Sequence, residues 1–456
     1  MKKVLYIIIL LIILLVSYIC YTKIGIQSGN IKLLINNNKV TLRKVTNMDS
    51  LSTNITIKNI NKKTIIINNK RIKPGKTITF NLDKLGKKIK VNSINKKYII
   101  NTIPSDFPEY KITGKSHGEG NYTLTFNKDG IYYMSLINPN GELLFYKKSV
   151  YKVVGNFKQV SDNRYSYIYT EKDINDVVYH NNYILLDENF NEIDNIKYDE
   201  SKDIGIDVHD AIYIEDGHYI ISTSYPKVVN NFPTDIGNST TKVEACFLKE
   251  VKDGRTIWEF DSTDYTNLYG YYNPDMVQAE FATTEYYRNY MHFNSMVIDP
   301  KDNNLIVSFR NICALIKIDR NTGKIIWILG GKGDEFNLSE EEKFLFQHSV
   351  TFGEGGKLLL YDNGNKERKS RIVTFYVDEK NKKISDYVKR DLGASTTNWG
   401  TVKYLGDSKY LVNYGLLNDL TYNRLDEIDI NTGEVNFSID FDDWFSPNTY
   451  KYRGGL

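Results

Sequence analysis

Six histidines occur in the chain, and three of them stand in similar settings. His209 lies in Asp207-Val-His-Asp210, His292 in Met291-His-Phe-Asn-Ser295, and His348 in Phe346-Gln-His-Ser349. Each precedes an apolar run by a similar distance: residues 219–222, 305–308 and 358–361. An imidazole can serve as nucleophile, acid or base near neutral pH. Asn294 follows His292 by two residues, so on a strand it shares that face. Arg310 follows the run at 305–308. Three imidazoles, an amide and a guanidinium suit an oxyanion. Three histidines could also bind zinc. Arg310 would repel that cation, and only Asp210 offers a further carboxylate, so no metal is expected. His117, His180 and His218 occupy turn-like stretches and read as solvated.

Residues so far apart meet only if the fold converges on a centre. One polar hairpin recurs six times, starting at Asn138, Asp187, Lys252, Asp319, Asp378 and Asp429. Successive copies begin 49 to 67 residues apart. Each is an Asn/Gly turn entering an apolar strand. Most have another apolar strand upstream. A period of this length holding several strands is a propeller-blade signature, and six copies argue for six blades. Innermost strands then face a channel where one residue per blade can meet. Helical periodicity is weak; residues 338–346 form the clearest short helix candidate.

The expected class is all-β, a six-bladed β-propeller over residues 106–456. A small N-terminal β-sandwich over residues 24–105 precedes it, read from short β-prone runs joined by Asn/Lys/Gly turns. Residues 1–23 form a hydrophobic anchor or signal helix. Lys2 and Lys3 lead an apolar run over residues 4–19, which should leave the rest outside the cytoplasm. Membrane attachment would come through this segment. Outside the cytoplasm, Cys246 and Cys313 could pair as a disulfide or stay as two buried thiols. The net charge of +3 and the lack of a basic block argue against nucleic acid. Three cysteines are too few for a disulfide scaffold or a four-thiolate zinc site.

At these histidines the chain resembles the bacterial aryl-sulfate sulfotransferases that work without the nucleotide sulfate donor PAPS. The matching stretches are Asp207-Val-His-Asp210, His292-Phe-Asn-Ser-Met-Val-Ile-Asp299, Ser308-Phe-Arg310, and Asn321-Thr-Gly-Lys-Ile-Ile-Trp-Ile-Leu-Gly-Gly331. Gln347-His348 and Tyr361-Asp-Asn-Gly364 complete the set. The resemblance implies a propeller with an N-terminal sandwich, export, and often a homodimer. It implies His348 as a transiently sulfated nucleophile. His292, Asn294 and Arg310 would hold the sulfuryl oxygens, and His209 would serve as acid or base. A further threonine contact should fall within residues 396–401. No cofactor is implied; the partners are an aryl sulfate donor and a phenolic acceptor. The sequence agrees in lacking a Gly-rich phosphate loop. Tyr269, Tyr271, Tyr272, Tyr286, Tyr287, Tyr290 and Phe293 cluster around His292, either as apolar walls for an aryl group or as packing aromatics. Three other functions compete: an aryl sulfate hydrolase using the same site, a non-catalytic binding propeller, and a metal-dependent propeller enzyme.

Overall fold

The structure, a computed structural model, describes residues 31–42, 45–47, 54–81, 88–92, 97–101, 107–108, 110–117, 120–128, 131–148, 153–170, 181–199, 204–234, 237–273, 288–365, 367–417, 423–441 and 453–454. The expected N-terminal helix, His180, Tyr286 and Tyr287 lie outside the described residues. No helix among the described residues is long and apolar enough to cross a membrane. Strands dominate, and the helical turns that occur are short 3-10 segments.

Two compact units emerge, residues 1–108 with 142–145, and residues 109–141 with 146–456. The first unit holds a four-stranded sheet with Lys32–Ile35 and Asn54–Asn59 near its middle, and a five-stranded sheet around Lys88–Asn92. Alternating residues of both sheets share one core: Leu33, Ile35, Ile55 and Ile57 with Ile65, Ile67, Ile89 and Val91. That alternation is the period-2 pattern of half-buried strands.

Among the described residues, the second unit holds six antiparallel sheets of four or five strands in chain order, with a two-stranded pairing of Thr396–Asn398 and Leu416–Leu417 beside them. Their first strands are Tyr122–Lys128, Val153–Ser161, Ala211–Glu215, Phe293–Ile298, His348–Phe352 and Thr401–Gly406. All six sequence repeats fall at the same place, the turn between the last two consecutive strands of a sheet. The sixth sheet is completed from far away: Tyr110–Gly114 pairs with Val435–Phe441. Gly114 has φ +80, and a Cβ there would run into the Asn436 carbonyl, so only glycine lets this strand end where it does.

From the first sheet to the sixth, each reaches the next at or beside its first strand, and the sixth returns to the first through Glu427 of Asn423–Asp429. The strands Tyr122–Lys128 and Val153–Ser161 touch directly. Lys158 Nζ (2.8 Å) and Asn156 Nδ2 (3.1 Å) of the second sheet donate to Asp210 Oδ1 at the start of the third. Asp210 Oδ2 accepts from the Met296 backbone N–H in the fourth, at 3.1 Å. Ser295 Oγ accepts from Val350 N–H in the fifth, at 2.9 Å. Ser349 Oγ accepts from Val402 N–H in the sixth, at 3.3 Å. Glu427 of the sixth sheet accepts from the Tyr122 hydroxyl in the first, at 2.6 Å. Five of these first strands line a cavity of about 360 Å³, which begins at Asp210, Ser295 and Ser349.

This ladder corrects the phase of one histidine. Asp210, Ser295 and Ser349 occupy equivalent positions, because each accepts from the first strand of the following sheet. His209, Asn294 and His348 precede them by one residue and are in phase. His292 lies two residues earlier and turns back through a left-handed φ of +52. The pairing of the fourth sheet is irregular between Phe293 and Ser295, which absorbs the offset.

Two other expectations change, and one open alternative is decided. Residues 338–346 are not helical. One turn forms at Ser339–Lys343, where Glu342 and Lys343 N–H both bond the Ser339 carbonyl. The next carbonyls and N–H are then taken by the fifth sheet: Arg371 Nη2 bonds the Glu341 and Lys343 carbonyls, and Asp362 takes the Leu345 N–H. His218 is not solvated; its Nε2 sits 2.6 Å from the buried Glu250 carboxylate, which also accepts from Trp258 and Arg320. Cys246 and Cys313 are free and buried, without a disulfide between them.

Candidate active site

His348 is 4% exposed and opens the first strand of the fifth sheet. Left-handed residues flank it, Phe346 at φ +53 and Ser349 at φ +59. Such backbone is uncommon for residues with side chains and persists where the surroundings enforce it. The ring Nδ1 lies 2.7 Å from Asn363 Oδ1 and 3.0 Å from the Phe346 carbonyl. Both partners only accept, so Nδ1 carries the proton and donates. Burial first, then the Arg310 charge, holds the imidazole well below its ordinary pKa, so it is neutral. Nε2 therefore keeps its lone pair. Asn363 cannot turn over, because its Nδ2 donates to the Trp399 carbonyl (2.9 Å) and the Thr396 carbonyl (3.1 Å). Thr396 is buried and bonded through Oγ1 to Tyr361 and Ser370, so it supports Asn363.

His209 is arranged as a dyad. Asp207 Oδ1 accepts from the His209 Nδ1–H at 2.7 Å and from its backbone N–H at 2.8 Å. The carboxylate fixes the orientation of the ring. The His209 and His292 rings meet edge to face at 5.3 Å. His292 is also held well below the ordinary imidazole pKa, by burial first and then by Arg310, His209 and His348. Those four groups thus form one electrostatic cluster.

Arg310 is 3% exposed. It sits in a turn closed by the Cys313 N–H to the Arg310 carbonyl, and its own N–H bonds the His292 carbonyl at 2.9 Å. Its guanidinium lies 5.5 Å from the Phe346 ring centre. The Gly330-Gly331 pair explains itself here. Both have positive φ, and a Cβ on Gly331 would strike the Ile312 carbonyl inside that turn. Gly-Gly lets the last strand of the fourth sheet lie against the Arg310 turn.

Asn294 is buried, and its amide reaches the neighbouring sheet. Nδ2 donates to the Gln347 carbonyl at 2.6 Å, and Oδ1 accepts from Ser295 Oγ at 3.0 Å. It ties the fourth sheet to the residue before His348. Gln347 reaches the other way, donating from Nε2 to Ser308, Phe309 and Ala314. Tyr269, Tyr290 and Phe293 pack into a core with Phe232 and Met291, so they are packing aromatics rather than walls of an open pocket.

The structure thus gathers His209, His292, Arg310 and His348 and places Asn294 as a bridge. Asp207, Asn363, Asn289 and Asn311 were not singled out from sequence. Asp207 carried a signal, an acid two residues before a histidine. Asn363 stood in the Tyr361-Asp-Asn-Gly364 stretch without a role.

Neutral imidazoles around a buried guanidinium, on an all-β frame, define a centre fitted to receive a tetrahedral oxyanion and a nucleophilic nitrogen. The profile of the arylsulfotransferase (ASST) family matches residues 111–453, and the chain belongs to that family. Over an alignment of 218 residues that covers part of this chain, identity to the arylsulfate sulfotransferase AssT of Escherichia coli O6:H1 (strain CFT073) is 28%. The alignment covers 37% of this chain and about a third of the relative's length, 36%. Among solved structures, the periplasmic gluconolactonase PpgL of Pseudomonas aeruginosa is similar at TM-score 0.38 and 11% identity, over 74% of this chain and 99% of that one. A streptogramin B lyase structure is similar at TM-score 0.36 and 11% identity, over 72% and 86%.

Proposed function

We propose that this chain transfers a sulfuryl group from a phenolic sulfate ester to a phenolic acceptor through a sulfohistidine at His348. The observation that carries the reading is the fixed tautomer of a buried, neutral His348, with Nδ1–H bound and Nε2 left nucleophilic. We further read the six sheets as blades of a closed propeller and the two sheets of the first unit as a sandwich. The apolar run after Lys2-Lys3 supports export and membrane attachment.

The steps follow from the residues. His348 Nε2 attacks sulfur in line, the sulfur–oxygen ester bond breaks, and the phenolate leaves with the electron pair. His209, protonated for this half-reaction, gives that phenolate a proton. Charge stays on the three equatorial oxygens, so positioned cations and N–H donors dominate the stabilisation. Arg310, His292 and Asn294 supply them, and the Asn294 bond to the Gln347 carbonyl also holds the strand carrying His348 in place. The sulfated ring is cationic, and its Nδ1–H donates more strongly to Asn363. A second phenol then loses its proton to His209 and attacks sulfur. The nitrogen–sulfur bond breaks and returns its pair to Nε2. This is ping-pong covalent catalysis.

The test is consumption of a chromogenic aryl sulfate with and without added phenol, with analysis of both products. Phenol-dependent release with a sulfated acceptor is expected. Release of inorganic sulfate at an equal rate with and without phenol would make the enzyme a hydrolase instead.

A further inference from the structure

Resting on the transfer reading above, we propose that Asn289 and Asn311 form a positioning pair, which makes His292 an Nε2–H donor and holds the Arg310 fork beside it. A neutral imidazole has one ring proton, so its tautomer decides whether it presents a donor or a lone pair. A donor stabilises a sulfuryl oxygen; a lone pair repels it. His292 Nδ1 is 3.1 Å from Asn289 Nδ2, a group that only donates. With the Asn289 Nδ2 turned to the ring, Nδ1 accepts and the ring proton stands on Nε2. This is the reverse of His348, whose Nδ1 donates. One histidine presents N–H and the other a lone pair, as a nucleophile and an oxygen-holding group must.

The same asparagine reaches Arg310 through its backbone. The Asn289 carbonyl accepts from Asn311 Nδ2 at 2.6 Å. That contact fixes which way the Asn311 amide faces, and its Oδ1 accepts from Arg310 Nη1 at 2.9 Å. Asn311 is fully buried. Its N–H bonds the Met291 carbonyl at 3.1 Å, and Arg310 N–H bonds the His292 carbonyl. The stretch from Asn289 to His292 and the turn carrying Arg310 are thus pinned together at three points.

The pair is anchored upstream as well. His218–Thr234 and Gly237–Lys252 form a long hairpin. Arg288 joins its edge, donating N–H to the Lys242 carbonyl (3.0 Å) and accepting from Glu244 N–H (2.9 Å). The Arg288 guanidinium lies 5.6 Å from the Phe232 ring centre. Asn289 is therefore held on the hairpin's edge, one residue from a backbone pairing. The hairpin, the asparagine pair and the two oxyanion-holding groups form one mechanical unit.

The experiment labels histidine with nitrogen-15 in the full-length protein and reads ring tautomers by long-range proton–nitrogen correlation. His292→Gln identifies the His292 signals. Wild type is expected to show the His292 proton on Nε2. Asn289→Asp should move it to Nδ1 or protonate both nitrogens, because a carboxylate accepts from Nδ1–H. Asn289→Asp and Asn311→Leu should each lower kcat for aryl sulfate by about 10²-fold, as loss of one oxyanion donor does, with KM changed far less. A wild-type proton on Nδ1 would overturn the pair. So would an Asn289→Asp protein with unchanged tautomer and kcat. If the folded wild type consumes no aryl sulfate at all, the transfer reading fails, and the wild-type tautomer still decides the pair.

Discussion

His348 can act as a nucleophile only while Nε2 keeps its lone pair, and Asn363 enforces that from the other side of the ring. Asn363→Ala should lower kcat by roughly 10- to 100-fold, the usual penalty for losing an orienting partner of a functional histidine. An unchanged kcat would remove Asn363 from the account. A pH prediction follows from the same burial. His348 and His292 are both held below the ordinary imidazole range, burial first and Arg310 next. The unfolded chain takes up these protons near about pH 6.5, while the folded protein resists them to lower pH. Their contribution to stability is thus full above about pH 6.5 and is lost as pH falls through the folded values. The urea midpoint should drop between about pH 7 and pH 5, and drop less in a protein carrying His292→Gln and His348→Asn. Equal slopes in both proteins would contradict the assignment. At this scale the sequence was informative about chemistry and poor about contacts. The three histidines and Arg310 stood out by type and setting. Asn363, Asn289 and Asn311 look like ordinary turn asparagines until distant segments are brought beside them.

The elements were legible through their turns. Every repeated Asn/Gly hairpin closes the last two consecutive strands of one sheet, because positive-φ residues such as Gly254, Gly323 and Gly433 pin the turns. The offset of His292 was not legible, since an irregular pairing adds residues without changing composition. The helix expected over residues 338–346 failed for a related reason: its backbone groups are claimed by Asp362 and Arg371 in the neighbouring strands. A test at this scale lies between the fourth and fifth sheets. Lys317 is fully buried, with its ammonium bonded to Asp299 (2.8 Å), Asp302 (2.7 Å) and Glu379. Lys317→Met would strand the buried Asp299 carboxylate and should cost about 3–5 kcal/mol of unfolding free energy. A loss below about 1 kcal/mol would show that the cluster is already solvated.

For the whole molecule, the second unit depends on its ends meeting. Its early strand Tyr110–Gly114 completes the sixth sheet, and the Arg453–Gly454 strand pairs with Tyr122–Lys128 of the first. Gly114→Val would force a side chain into the Asn436 carbonyl and a branched residue into left-handed backbone. It should lower the thermal midpoint of this unit as one cooperative transition. A midpoint unchanged in Gly114→Val would mean that the closing strand is dispensable. Each of the six sequence repeats marks a turn within one sheet, but which strand completes the last sheet is a long-range matter that local pattern does not encode. The central claim is the covalent step at His348, and intact-mass analysis after mixing the protein with a chromogenic aryl sulfate tests it most directly. The account predicts an adduct of one sulfuryl group mapped to His348, discharged by phenol and missing from His348→Asn, whose turnover falls by at least about 10³-fold. Undiminished turnover in His348→Asn, or a sulfuryl adduct on another residue, would contradict it.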